Sequence, residues 1–144
     1  ELIVRAVRQR DLPAVYEIEH EMFKDAFPNF LIDSLAKENP ETFLVAKENR
    51  EAVGYIIASV EKRKVGHIIS LAVRQDHLRM GVGSSSLLKV FKILKSKGVL
   101  TVRLEARRSN AVAHRFYENL GFKFFCISEN YYYDDDGYVF IKHL

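Results

Sequence analysis

The chain has 144 residues and a formal net charge of +3, with 48% hydrophobic and 28% charged residues. This length and composition are typical of one globular domain, which we expect to span residues 1–144, and they argue against intrinsic disorder. No run of about eighteen apolar residues is present, and the first residues lack the apolar segment of a signal peptide. We therefore expect a cytoplasmic protein without a membrane span. The small excess of cations is too scattered to predict a nucleic-acid partner.

The spacing of apolar residues predicts seven strands and four helices. Asp11 is expected to cap the first helix, which has Pro13 in its first turn, and the segment Phe27-Pro28-Asn29 separates it from the second. A third helix is predicted from near Ser84 to Gly98. The remaining helices are expected at residues 12–23, 30–37 and 111–120, and the strands at residues 2–7, 42–47, 52–60, 68–73, 99–106, 122–127 and 138–143.

The order of these elements predicts an α/β (α+β) fold with a mixed, mostly antiparallel seven-stranded sheet and helices on both faces. One central parallel β-α-β crossover is expected, because a helix connects the strands at 68–73 and 99–106. The last two strands are predicted to form a hairpin across an acidic connection at 131–137. The single Cys126 cannot form an internal disulfide, and its place in an apolar strand predicts a packed side chain.

A glycine-rich segment follows the central strand and reads Arg79-Met80-Gly81-Val82-Gly83. Glycines allow the backbone to approach a ligand closely, and the free amides at a helix start attract anions, so a phosphate or pyrophosphate is the expected guest. A dinucleotide fingerprint is a competing interpretation, with Glu105 about 20 residues later as the ribose ligand. Ser86 in place of the third glycine, and seven residues between strand and glycine, argue against it. A glycine pair that only starts a helix remains an alternative.

Three motifs in the second half of the chain carry a family resemblance. They are GHIISLAVRQDHLRMGVGSSS at 66–86, LEARRSN at 104–110 and FYENLGF at 116–122. With the order of elements over essentially the whole chain, they resemble the GNAT superfamily of acyl-coenzyme A N-acyltransferases. With the late Asn130-Tyr131-Tyr132, they look like the RimI-type protein N-terminal acetyltransferases, and GHIISLAV looks most like the archaeal members.

No metal is expected from the residues, because His114 and Glu118 lack a second histidine and further ligands. Asp134-Asp135-Asp136-Gly137 lacks the ligand spacing of a calcium loop and is interpreted as a solvated turn.

The resemblance implies acetyl-CoA as the cofactor. Its pantetheine arm would run beside Leu71, Ala72 and Val73, and the amide of Val73 would stabilise the oxyanion that forms on attack. Leu78 departs from the family pattern, which usually has Gln or Arg there, so a side-chain contact is in doubt. The residues implied to bind the pyrophosphate are Arg79, Met80, Gly81, Val82, Gly83 and Ser84.

The resemblance also assigns the acid and base. Glu105 would be the general base, His67 could share that duty, and Tyr117 would protonate the departing thiolate. Asn110 is expected to cap its helix and to contact the cofactor arm. The residues alone leave simpler interpretations open, namely an ion pair of Glu105 with a neighbouring arginine, a backbone-bonded His67 and a core Tyr117.

Two aromatic segments are predicted to form the lips of an acceptor groove, because a solvated connection would normally be polar. They are Phe27, Pro28 and Asn29 on one side and Tyr131, Tyr132 and Tyr133 on the other. We expect the acceptor to be a protein or peptide N-terminus, with a ribosomal protein as one candidate. The alternatives are acetylation of lysine side chains or a small amine, or a non-catalytic acetyl-CoA-binding protein.

Overall fold

Seven strands and four α-helices build the protein in the computed structural model, which describes residues 1–144. The helices are α1 (Leu12–Met22), α2 (Asn29–Glu38), α3 (Val82–Ser96) and α4 (Ala111–Asn119). The strands are β1 (Leu2–Ala6), β2 (Phe43–Glu48), β3 (Glu51–Glu61), β4 (Val65–Val73), β5 (Thr101–Arg107), β6 (Lys123–Tyr132) and β7 (Asp135–His143). None of the helices combines the length and the apolar character that crossing a bilayer requires.

All seven strands form one sheet in the order β1-β2-β3-β4-β5-β7-β6. Every neighbouring pair is antiparallel except β4 and β5, which are parallel and connected through α3. The mixed sheet with one parallel crossover is therefore confirmed. The parallel pair is short, since it runs only from Val65 opposite Thr101 to His67 opposite Arg103. Beyond His67 the two strands are unpaired with each other, which leaves an opening in the middle of the sheet.

Helices cover both faces of the sheet, as the pattern predicted. On one face, α3 buries its apolar stripe, including Leu87 and Leu94, against Leu104 of β5. On the other face, α1 packs Val15 and Ile18 against β2 and β3. The two cores follow from the positions of the apolar residues, which recur at helical spacing in the helices and at alternate positions in the strands. Each element therefore has an apolar face to bury. The opening between β4 and β5 therefore connects two covered faces.

The closing hairpin differs from the prediction. Residues 131–137 belong mostly to strands, because β6 continues to Tyr132 and β7 begins at Asp135. The register shifts between Ser128 and Tyr132, and Asn130 has a left-handed backbone with φ 53°. The acidic residues that suggested a solvated turn instead fix this bulge, since the Asp136 carboxylate accepts the Asn130 amide at 2.9 Å.

Two single-residue expectations were wrong. Asp11 does not cap α1 with its side chain, because a short 3-10 turn precedes the helix and gives Asp11 a helical backbone. Its buried carboxylate instead accepts the Arg8 amide and pairs with Arg5 and Lys47. Cys126 is exposed and not packed, because β6 is the outer strand of the sheet.

Candidate active site

A cavity of about 1050 Å³ occupies the opening between β4 and β5. Its wall combines residues of α1 and the segment after it, of β4 and β5, of α4 and of the β6–β7 hairpin. A second cavity of about 250 Å³ lies between α2 and the segment that connects β1 to α1, and none of the predicted site residues contributes to it. The predicted residues on the wall of the large cavity are Phe27, Leu71, Glu105, Asn110, Tyr117, Tyr131 and Tyr132.

The other predicted residues do not line this cavity. Pro28 and Asn29 lie at the start of α2, and Tyr133 is fully exposed at the tip of the hairpin. The segment after α1 contributes Phe23, Lys24 and Asp25 to the wall instead. The remaining predicted residues outside the wall are His67, Ala72, Val73, Arg79, Met80, Gly81, Val82, Gly83 and Ser84.

The Glu105 carboxylate on the cavity wall has three side-chain hydrogen-bond partners. It accepts hydrogen bonds from Arg103 at 2.6 Å and from Tyr131 at 3.2 Å, and it lies 2.7 Å from His67 Nε2. Burial raises the pKa of Glu105, but the hydrogen bond with His67 and the charges of His67 and Arg103 outweigh burial, and the net pKa is lowered. Glu105 therefore forms the ion pair with Arg103 and also lines the cavity. Its carboxylate is ionised at neutral pH.

His67 stands behind Glu105 rather than on the cavity wall. Its Nε2 atom faces Glu105, while Nδ1 lies 3.5 Å from Glu61 on the next strand. The imidazole therefore connects two carboxylates and fixes the orientation of Glu105. This arrangement suits an indirect role better than direct contact with an acceptor.

Tyr117 reaches the cavity from the opposite face of the sheet. On β5, Leu104 and Ala106 belong to the core beneath α3 and α4, so Glu105 between them points to the other face. Tyr117 packs against that α3-side core, close to Phe116 and Phe122. Burial alone raises the pKa of Tyr117 to about 12, so the phenol keeps its proton at neutral pH. A carboxylate and a phenol thus border one cavity from two sides.

The backbone of β4 presents free donors to the opening. Arg74 donates its amide to Val53 on β3 at 2.8 Å. Along an antiparallel strand alternate amides face the same neighbour, so the Leu71 and Val73 amides point away from β3. On that side β5 is no longer paired with β4. These amides can therefore donate to a ligand in the opening.

The glycine segment forms the expected turn into α3, which begins at Val82 and not near Ser84. Gly81 has φ 81°, and a Cβ added there would meet no heavy atom within 4 Å, so its surroundings are open. The first helical bond runs from the Ser85 amide to the Gly81 carbonyl, which leaves the amides of Val82 to Ser84 without helical partners. A Cβ at Gly83 would lie 3.1 Å from Phe116, so this glycine lets α4 approach. The residues fit a bound pyrophosphate.

Asn110 caps α4 as predicted, since its side chain accepts the Ala113 amide at 3.1 Å. It also lies on the cavity wall beside Ser109. His114, which the sequence places four residues before Glu118, bonds the Arg107 carbonyl at 2.8 Å and stacks on Tyr138. This histidine is therefore a structural residue of α4.

Ion pairs connect the two lips of the cavity. Arg107 donates to Asp134 of the hairpin at 2.5 Å and to Asp25 of the segment after α1 at 2.7 Å. Lys24 also pairs with Asp134, and the Arg107 guanidinium lies 4.4 Å above the ring of Tyr132. Such exposed pairs contribute little stability each, about 0–1 kcal/mol. They nevertheless hold the aromatic lips at a defined separation.

Glu19 of α1, a further carboxylate on the wall, was not predicted from the sequence. The available signal was its position, because Glu19 falls on the same helical stripe as Val15, Ile18 and Met22. A charged residue on an apolar stripe is unusual and points to a specific partner.

Comparison with known proteins places this fold and cavity in a family. The profile of the Acetyltransferase (GNAT) family matches residues 12–122. An uncharacterized N-acetyltransferase of Methanocaldococcus jannaschii is 36% identical, over 98% of this chain and 91% of that protein. The chain belongs to the GNAT acetyltransferase family.

Relatives with a named activity are of similar length. An N-alpha-acetyltransferase of Sulfurisphaera tokodaii is 31% identical over 94% of this chain and 89% of its own. The [ribosomal protein bS18]-alanine N-acetyltransferase of Escherichia coli is 33% identical over 93% and 89%. The crystal structure of Ard1 from Thermoplasma volcanium superposes with a TM-score of 0.96 at 31% identity, covering 99% of this chain and 97% of that one.

Proposed function

We propose that this protein transfers an acetyl group from acetyl-CoA to the N-terminal α-amine of proteins or peptides, by direct attack in a ternary complex. The observation that carries the proposal is the cavity through the sheet, bordered by Glu105 on one face and Tyr117 on the other. Two relatives support the acceptor, since one is an N-alpha-acetyltransferase and the other acts on an alanine of a ribosomal protein. A ribosomal protein is therefore one candidate acceptor.

Acetyl-CoA would supply the acetyl group as an activated thioester. The amides of the first turn of α3 would bind its pyrophosphate, because they lack helical partners and carry the positive end of the helix dipole. The Leu71 side chain would contact the pantetheine arm, and the Val73 amide would donate to the acyl oxygen. Asn110 contributes a polar group to the same wall.

The protonation states of Glu105 and Tyr117 suit them to the roles of base and acid. Glu105 is ionised and accepts a proton from the acceptor nitrogen, directly or through water. Tyr117 carries a proton at neutral pH and donates it to the sulfur of the leaving group. His67 acts through Glu105, because its imidazole holds the carboxylate and does not line the cavity.

A weak base favours an α-amine over a lysine side chain. The lowered pKa of Glu105 makes its carboxylate a poor proton acceptor. An α-amine with a pKa near 7.7–8.0 is about one-tenth neutral at pH 7, whereas a lysine near 10.4 is neutral in under about 0.1% of molecules. Phe27, Tyr131 and Tyr132 would line the path of an extended N-terminus.

Mass spectrometry on paired peptides tests the proposal. One peptide has a free N-terminus and an internal lysine, and its partner differs only by a blocked N-terminus. With acetyl-CoA, we expect one acetyl group on the α-amine of the first peptide and none on the second. The Glu105→Gln variant is the control for uncatalysed transfer. Preferential modification of the lysine in the blocked peptide would support a lysine acetyltransferase, and cofactor binding without any transfer would support a non-catalytic protein.

A further inference from the structure

Glu19 is a buried carboxylate that no cation of the chain neutralises. The residue is only 2% exposed, although it contributes to the cavity wall. Its carboxylate accepts hydrogen bonds from the Phe27 amide at 2.9 Å, from Ser70 at 3.3 Å and from the Tyr55 hydroxyl. None of these three partners carries a positive charge.

The other buried acids have cationic partners. Asp11 pairs with Arg5 and Lys47. Glu105 pairs with Arg103 and approaches His67. Glu19 is thus the exception in a molecule that otherwise follows the rule that buried charges are paired.

The cations on the cavity wall do not fill this gap. Lys24 pairs with Asp134, and Arg107 divides its guanidinium between Asp134 and Asp25. These ion pairs are the ones that connect the two aromatic lips of the cavity. A cationic ligand in the cavity would supply the positive charge that the chain does not place beside Glu19.

We propose that Glu19, with the Ser70 hydroxyl beside it, is a cation subsite that binds the protonated amino group of the acceptor. This inference rests on the proposed function and names the group that the site receives first. A primary ammonium has three N–H donors and no acceptor, so it matches a carboxylate and a hydroxyl oxygen. Most acceptor α-amines arrive in this form, because their pKa lies above 7.

The two carboxylates then have different roles. Glu19 lies on α1 above β4, and Glu105 lies on β5 across the opening, so an amino group held by Glu19 remains in the same cavity as Glu105. Glu19 binds and orients the ammonium, which loses one proton to solvent to become the nucleophile. Glu105 receives the second proton, which the nitrogen gives up after it attacks the thioester. Loss of Glu19 should therefore raise KM for the peptide and change kcat much less.

Binding of two matched peptides, measured by calorimetry on the CoA-saturated enzyme, tests this subsite. The peptides are identical except that one has a free α-amino group and the other has a hydrogen in its place. We expect the wild type to bind the amino peptide at least about tenfold more tightly, as for a charge-assisted hydrogen bond. Glu19→Gln should reduce this preference to about one. Glu17→Gln is the matched control, because Glu17 is an exposed glutamate of the same helix.

The ratio between the two peptides removes effects on folding that both share. An unchanged preference in Glu19→Gln would overturn the subsite, and so would a wild type without any preference. Should Glu19→Gln fail to fold, Glu19→Asp is the second variant, because it keeps the charge but withdraws it by one methylene. If Glu19→Asp kept the full wild-type preference for the amino peptide, the proposal would be contradicted. Because no acetyl transfer is measured, a failed subsite leaves α-amine acetylation intact. Conversely, a transfer assay in which only the lysine is acetylated would overturn the proposed acetylation of the α-amine and not the cation subsite.

Discussion

Glu105 and Glu19 line the same cavity, but their neighbours give the two carboxylates different properties. Glu105 lies next to Arg103 and His67, so its charge is stabilised and its pKa lowered. Glu19 receives only neutral donors. A carboxylate whose negative charge is stabilised by cations stays ionised but is a weak base. A buried carboxylate without a cationic neighbour attracts a cation. We therefore expect different roles for Glu105 and Glu19, because only Glu105 has cationic side chains beside it.

Glu105→Gln should lower kcat by about a hundredfold or more, the usual effect of losing a general base. Glu61→Gln is the control, since Glu61 also contacts Arg103 and His67 but does not line the cavity. Because Glu105 is ionised throughout pH 6–9, the rise of wild-type kcat/KM with pH should follow the acceptor α-amine near 7.7–8.0. Steady-state kinetics over this range measures both effects.

His67→Ala should have a smaller effect than Glu105→Gln. Removal of the imidazole takes away a hydrogen bond that lowers the pKa of Glu105, so that pKa should rise while the carboxylate stays in place. The double variant shows whether the two residues act as one unit. Wild-type kcat/KM in the double variant across pH 6–9 would mean that neither residue is the base.

Tyr117→Phe should lower kcat by about tenfold or more and leave acetyl-CoA affinity nearly unchanged, because only the proton donor is lost. The ring packing against Phe116 and Phe122 is preserved in this variant. Tyr133→Phe is the control, since Tyr133 is fully exposed. Parallel measurements of turnover and cofactor binding separate the two effects, and unchanged turnover would return Tyr117 to a purely structural role.

At the scale of elements, the start of α3 depends on a backbone that only glycine adopts easily. Gly81 has φ 81° in open surroundings, so a larger side chain there meets no protein atom. Any effect of a substitution must come from backbone strain or from charge near the ligand. These two causes can be separated with a pair of variants.

Gly81→Ala should cost about 1 kcal/mol of stability through its left-handed backbone and retain most acetyl-CoA affinity. Gly81→Asp adds a negative charge beside the expected pyrophosphate and should abolish measurable binding. Calorimetry with both folded variants makes the comparison. Equal affinities for the two would remove the pyrophosphate from this turn, and a wild-type preference for NAD would restore the dinucleotide interpretation.

Asp11 joins β1 and β2 to the turn before α1. Burial raises the pKa of Asp11, but Arg5, the Arg8 amide and Lys47 outweigh it and lower the pKa to about 2. A depressed pKa contributes stability above the unfolded value near 3.9, and that contribution is lost as pH falls through about 2. Asp11→Asn should therefore lose about 2 kcal/mol near neutral pH, with the deficit shrinking between pH 4 and 2. Denaturant unfolding measures this, with Asp76→Asn as an exposed control.

The fold was largely predictable from the sequence, because its strands and helices follow apolar periodicity. The motifs around Glu105 and Asn110 also indicated residues that line the cavity, whereas the glycine segment lies outside its wall. The closing hairpin was predicted, but the extension of its two strands into residues 131–137 was missed, since the aspartates there accept hydrogen bonds from distant partners such as Ser109. The role of Glu19 was missed for a related reason. Its neighbours Tyr55 and Ser70 come from other strands, and no local pattern connects them.

At the scale of the whole molecule, the sheet consists of two parts that meet at a short seam. Strands β1 to β4 form one part and strands β5, β7 and β6 the other. Only three residue pairs of β4 and β5 join them directly, together with the crossover through α3. The cavity wall draws on both parts. A ligand in the cavity would therefore contact both parts of the sheet.

The seam should be visible in the exchange of backbone hydrogens with deuterium. Amides at the centre of a sheet usually exchange slowest, because only global unfolding exposes them. Here the Leu71 and Val73 amides face the opening, while Ala72 between them faces β3. In the free protein, we expect Leu71 and Val73 to exchange much faster than Ala72, and CoA to slow both. The middle of this sheet should thus behave like an edge until the cofactor closes it.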